Sequence, residues 1–243
     1  MRALSALDPG KQRVALIMPY STAAGLIMFT AFIVGVFYSL DALHGERRDR
    51  SILFWKSLPV SDRTTVLSKA SIPLVVLPLL TSAIVIATQL IMLLLNTAVL
   101  LASGSGAATL WRALPLFQMS LIQLYGLSVH ALWLAPLYGW LLLVSAWARR
   151  TPFLWAVLPP LALGVVERIA FQTSYFGSLM KYRVMGAMAE AFALTPGDKG
   201  LIIRLTQLDP LGFLSSPGLW IGLIAAAAFL AAAARLRRYR GPT

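Results

Sequence analysis

Cysteine is absent from this 243-residue chain. That excludes disulfides, thiolate metal sites and a cysteine nucleophile. Charge is scarce as well: 12% of the residues are charged and only nine are acidic, whereas a soluble domain carries about 25% charged residues. So little polar surface cannot cover a soluble globule. A His-Glu-x-x-His metal motif is missing, and so is the glycine-rich loop ending in Gly-Lys-Ser/Thr that cradles nucleotide phosphates. The one flexible glycine stretch, Ser103-Gly104-Ser105-Gly106, has no lysine. If this protein uses ATP, a different chain must bind it.

What is present is apolar. The chain is 58% hydrophobic with a mean hydropathy of +0.77. Its apolar runs are continuous rather than alternating, which argues against a β-barrel. The class is all-α, a polytopic bundle of transmembrane helices forming one domain over residues 1–243. The net charge of +12 would point to nucleic acid in a soluble protein. Here the basic residues sit in loops beside apolar runs, where they set topology and meet anionic lipid head groups, so no nucleic-acid partner is expected. A cleavable signal peptide is not expected either. The first apolar run follows Arg2, Lys11 and Arg13 but continues to Leu40, far past the ~7–15 residues of a signal's apolar core.

A span needs about 20 apolar residues. Five segments meet this: residues 14–40, 72–101, 124–147, 153–170 and 218–234. The third lies in a longer run, 115–148, whose start reads as an interfacial helix. The fourth reads as broken at Pro159-Pro160. Residues 171–217 form an external segment. In it Tyr175, Phe176, Leu179, Met180, Tyr182, Met185, Met188 and Phe192 recur at helical spacing, as in a helix lying on an interface. Thr195-Pro196-Gly197-Asp198 reads as a turn. Lys and Arg counts give the orientation. Placing loop 41–71, Arg149-Arg150 and the final arginine cluster inside puts twelve basic residues there against nine outside. The C-terminus is then cytoplasmic. The basic N-terminus falls outside, against the rule, which is explained if a first span is missing.

Ionisable groups within spans are costly and mark function. Gln89, Asn96, Gln123, His130 and Glu167 are the candidates for a polar path. The plainer readings are interhelical hydrogen bonds for the amides and His130, and an interfacial anchor for Glu167, paired with Arg168 or Arg112. No catalytic residue, metal site or bound cofactor is expected.

The one long charged stretch is 45–69, GERRDRSILFWKSLPVSDRTTVLSK. Residues 48–58 suit a short helix along the membrane face, with its aromatics among the head groups. Pro59 ends it. Ser61 or Asp62 caps the helix that enters the second span. Topology alone needs a few arginines, not this density of aromatics, charges and a proline turn.

The run Glu46…Arg50-Ser51…Lys56-Ser57-Leu58-Pro59-Val60-Ser61…Ser68-Lys69 resembles the first cytoplasmic loop of ATP-binding-cassette (ABC) exporter permeases of the ABC type-2 class. The resemblance implies a dimeric permease, paired with a second copy or a paralogue and with cytoplasmic ABC ATPase subunits that carry ATP and Mg. It implies a bacterial inner membrane location. It also implies that the loop is an ATPase-docking element, involving Glu46, Arg47, Arg48, Arg50, Ser51, Phe54, Trp55, Lys56, Leu58, Pro59 and Ser61. Such permeases have six spans, one more than the five read here. Two other classes stay open on the residues alone. One is a non-transporting anchor that recruits a partner through the loop. The other is an intramembrane enzyme using Glu167 or His130.

Overall fold

The computed structural model describes residues 9–57, 59–104, 110–111, 114–193 and 205–239. Leu58, Arg112 and the 195–198 turn lie outside them. The described residues are α-helical apart from short connections and one isolated bridge between Phe192 and Leu208. In chain order the helices are α1 (Pro9–Asp41), α2 (His44–Arg48), α3 (Ile52–Ser57), α4 (Asp62–Ser71), α5 (Leu77–Ala102), α6 (Leu116–Trp133), α7 (Ala135–Trp147), α8 (Pro152–Ala170), α9 (Tyr175–Met185), α10 (Ala187–Ala191), α11 (Pro210–Ser215) and α12 (Pro217–Tyr239).

Among the described residues, four helical stretches are long and apolar enough to cross a membrane, and the bent pair α6–α7 makes a fifth if it is one span. Their outer surfaces are apolar. Phe29, Phe37, Leu94, Leu95, Leu163 and Ile224 are all exposed, as suits helices whose solvent is lipid. Together these features describe a multi-pass membrane protein.

Proline decides the helix breaks, and not where the sequence alone places them. The fourth apolar segment is unbroken: α8 runs through Pro159 and Pro160. Pro160 cannot donate to the carbonyl of Ala156, four residues back. The Trp140 indole donates to that carbonyl instead, at 3.1 Å. A side chain from a neighbouring helix thus supplies the missing donor. The third segment does break, at Leu134 between α6 and α7, with a 48° bend. The expected span over 124–147 is therefore two helices, with Pro136 in the first turn of the second. Arg183 holds the corner. Its guanidinium donates to the Trp133 carbonyl (3.1 Å) and the Gly218 carbonyl (2.8 Å), and lies over the Trp133 ring at 4.7 Å. Burial among these groups lowers its pKa from the ordinary arginine value. Between α4 and α5 the chain instead passes through one π turn, Ile72–Val76. There the Leu77 amide bonds the Ile72 carbonyl five residues back, and the helix continues for 41 residues in all.

The segment expected to lie on an interface splits at Gly186. Tyr175, Leu179, Tyr182 and Met185 of α9 stay exposed, Phe176 and Met180 are half-buried, and the small residues Ala187 and Ala191 with Phe192 enter the core beside Trp133 and Phe213.

The most extensive helix pairing is α7 against α12. Small residues permit it. A Cβ on Gly139 would stand 3.2 Å from the Ala226 carbonyl oxygen and 3.3 Å from its Cα. Without a hydrophobic driving force between helices in lipid, this close backbone approach is the source of attraction. Overpacking here costs about 1–3 kcal/mol. Gly139→Leu is expected to lower the unfolding temperature in detergent, measured by intrinsic fluorescence, whereas Gly25→Leu, where nothing lies within 4 Å of the added carbon, is expected to leave it unchanged.

Candidate functional site

The basic loop, the end of α7 and the C-terminal part of α12 meet at one end of the bundle. The junction starts with a serine. Ser145 is fully buried near the end of α7, and its hydroxyl oxygen accepts the amide protons of Leu43 (3.0 Å) and His44 (2.9 Å). Amides at a helix start lack partners within the helix, so Ser145 fixes where α2 begins. Arg47, one turn on, is buried and donates to the carbonyls of Ser145 (2.9 Å) and Ala148 (2.5 Å). Those carbonyls belong to the C-terminal end of α7, where a cation is favoured.

Glu46 points from the same short helix into a second cluster. One carboxylate oxygen pairs with Lys69 at 3.0 Å on α4, the other with Arg237 at 3.1 Å on α12. Arg237 also donates to Asp62 at 2.5 Å, at the start of α4. Glu46 and Arg237 are only 8% and 4% exposed, little enough to make solvent a poor substitute partner. Two carboxylates and two cations leave the cluster neutral. It binds α2, α4 and α12 to one another, while Arg47 and Ser145 bind α2 to α7.

Beyond this junction the chain turns outward. Arg50 takes a left-handed conformation (φ 59°), uncommon for a residue with a Cβ. This redirects the chain from α2 into α3, so the expected helix over 48–58 is two short helices with a corner at Arg50. Ile52 is buried and anchors α3. Leu53, Phe54 and Trp55 are exposed, with the Phe54 and Trp55 rings edge to face at 5.7 Å. The Ser51 hydroxyl donates to the Glu46 carbonyl (3.4 Å) and Lys56 to the Arg238 carbonyl (3.5 Å). Arg48 is exposed, paired with Asp49 and more distantly with Asp41. Pro59 follows α3 and is exposed. Ser61 is the cap of α4, accepting from the Thr64 amide at 3.1 Å. The loop residues of the family resemblance therefore divide: Glu46 and Arg47 face inward, and Leu53 to Trp55 face outward.

The polar-path candidates have separate surroundings. Asn96 donates to the Tyr20 hydroxyl at 3.1 Å, tying α5 to α1. His130 meets the edge of Phe32. Glu167 accepts from the Thr173 hydroxyl and from the amides of Tyr175 (2.6 Å) and Phe176 (2.8 Å). It satisfies the opening amides of α9 and makes no ion pair with Arg168; the other expected partner, Arg112, lies outside the described residues. Gln89 and Gln123 are different: Gln89 Oε1 and both amide atoms of Gln123 are buried without a hydrogen-bond partner among the described residues. An unmet buried polar group costs about 1–3 kcal/mol, so these two keep the reading of a polar path.

Asp62, Lys69, Ser145 and Arg237 complete the junction and are absent from the docking set that the sequence suggests. Arg237 sits in a cluster with Arg235, Arg238 and Arg240 that satisfies the topology rule by number alone. The signal that singles it out is helical phase: it falls one turn after Ala233 and Ala234, which are buried beside Val66.

Removing one partner of a buried ion pair costs about 3–5 kcal/mol, because the other charge is left behind. Glu46→Gln and Arg237→Gln are each expected to lower thermal stability in detergent. The double variant is expected to be clearly less destabilised than the two effects added, since neither Glu46 nor Arg237 is then stranded and only the more exposed Lys69 and Asp62 lose a partner. Simple additivity in that cycle would place the two residues in separate environments. Comparison of the chain with family models, with curated proteins and with solved structures returned no match.

Proposed function

We propose that this chain is the membrane permease subunit of an ABC-type exporter, converting ATP hydrolysis on a separate cytoplasmic ATPase into movement of substrate across the membrane. The observation that carries the reading is the construction of the loop. Its exposed apolar tip, Leu53, Phe54 and Trp55, stands on a buried ionic junction that clamps α2 to α4, α7 and α12. An ordinary topology loop needs no such rigid base. A push on the tip passes through Glu46 to Arg237 and Lys69, and through Arg47 to α7, without being absorbed by a flexible linker. Packed helices moved in this way shift as rigid bodies.

The residues divide accordingly. Phe54 and Trp55 present the docking face, with Lys56 and Arg48 beside it. Glu46, Arg47 and Ser61 hold the base. Pro59 turns the chain back towards α4. In this reading the chain sits in a bacterial inner membrane with its C-terminus in the cytoplasm, forms a dimer with a second permease, and binds neither ATP nor Mg itself. Gln89 and Gln123 line the route of a substrate whose class is open.

The chain purified alone is expected to hydrolyse no ATP. Tagged chain drawn from its native membranes in mild detergent is expected to bring an ATPase with it. Phe54→Ala combined with Trp55→Ala is expected to cut that ATP turnover at least about tenfold, since buried aromatics dominate interface energies, with an unchanged size-exclusion profile. Robust ATP turnover by the isolated chain, or full ATPase recovery with the double variant, would overturn the assignment.

A further inference from the structure

α4 forms one wall of a groove that begins at Asp62 of the ionic junction, where Arg237 already neutralises that carboxylate, and α12 forms the other. The groove measures about 1210 Å³, above the ~300–1,000 Å³ of small-molecule pockets. Its composition changes along its length, and the two helices give it the same direction. α4 runs from Arg63 to Val66 and Leu67 as it enters the bundle, and α12 runs from Ala227 and Leu230 to Arg235 and Arg238 as it leaves. The pairing of Asp62 with Arg237, and the packing of Val66 beside Ala233 and Ala234, show these helices antiparallel and in register. The groove is therefore apolar towards the spans and cationic at its outer mouth.

The charge at that mouth is uncompensated. Glu46, Asp62, Lys69 and Arg237 neutralise one another within the junction. Arg63, Arg235 and Arg238 are exposed and have no carboxylate partner among the described residues. Three arginines over an apolar trough match an amphiphile with an anionic head. A soluble anion would leave the trough of Leu67, Ala227 and Leu230 unused. A protein partner would have to carry an acidic patch and an apolar ridge in the same order.

We infer that this groove is a binding site for an anionic phospholipid, its phosphate held by Arg63, Arg235 and Arg238 and its acyl chain laid along Leu67, Ala227 and Leu230. Basic pockets between membrane helices recognise anionic head groups in this way. Arginine suits the phosphate because its planar fork donates two hydrogen bonds at once. Because Asp62 and Arg237 sit under the same mouth, the lipid rests directly on the junction and stiffens it. The inference stands on the groove alone and holds whether or not the chain partners an ATPase.

The absence of cysteine makes a clean test. In full-length Leu67→Cys protein, purified in neutral detergent, maleimide labelling reports whether the groove is filled. Added phosphatidylglycerol is expected to slow labelling, and phosphatidylcholine at the same concentration is not. Adding Arg63→Gln, Arg235→Gln and Arg238→Gln is expected to weaken phosphatidylglycerol protection by about tenfold or more. Replacing the three by lysine instead is expected to restore part of it. Soluble glycerol phosphate is expected to give no protection. Equal protection by the two lipids would overturn the site, and so would undiminished protection in the triple glutamine variant. Protection by glycerol phosphate would make it an anion site rather than a lipid site. Protection that rises with protein concentration, without lipid, would make it a contact between copies. Native mass spectrometry of the otherwise unchanged chain gives a second readout that needs no Leu67 substitution: retained phosphatidylglycerol over phosphatidylcholine supports the site, and equal retention overturns it.

Discussion

Glu46 carries its charge into a place where water barely reaches, and the surrounding helices are arranged to answer it. A lone buried carboxylate would be several kcal/mol too costly to ionise. It is tolerated because Lys69 and Arg237 arrive on two different helices within about 3.1 Å, and because Asp62 occupies the other face of Arg237. The depth of α2, the entry point of α4 and the rotation of α12 are all tied to this one group. Rotating α12 by one residue would swing Arg237 by about 100° and strand the carboxylate. The same constraint explains why the C-terminal basic cluster is not interchangeable: one of its arginines is structural and buried, and its neighbours stay outside.

Among the described residues, the other end of the bundle is held by neutral and aromatic contacts rather than paired charge, and Arg183 has no carboxylate partner there. It donates to the Trp133 carbonyl left over at the Leu134 corner and to the Gly218 carbonyl in the first turn of α12, and it stacks on Trp133. Glu167 caps α9. Both polar groups serve backbone left over at helix ends, the recurrent cost of interrupting a helix in an apolar medium. The two ends therefore differ in how they are braced. One is cross-braced by ions linking separate helices; the other is closed by local caps and by the core packing of Ala187 and Ala191 of α10 and Phe213 of α11.

That difference bears on function. A loop with an exposed aromatic tip and a rigid charged base suits a point where force enters the membrane domain. The lipid groove beside it would let the membrane act on the same base. Docking partner and lipid would then act on one mechanical element, since Lys56 beside the tip bonds the carbonyl of Arg238 in the groove.

Sequence by itself determined the class. Few charges, continuous apolar runs and basic loops admit a helical membrane bundle and little else, because burying or exposing those runs is decided by their length and polarity. It also located the loop, its proline turn and the Ser61 cap, which depend on neighbours within a few residues. It mislocated the helix breaks. Pro159-Pro160 looks like a break until Trp140, twenty residues away, supplies the missing donor; Pro136 looks harmless until Arg183 is found holding the bend. Above all it could not tell which charges of the loop face in. Glu46 and Arg48 are two residues apart with similar surroundings in the chain, yet one is sealed in the junction and the other is in the open. That choice belongs to the tertiary structure, because the stability of a buried charge depends on partners that only the packing of distant helices brings within hydrogen-bond reach.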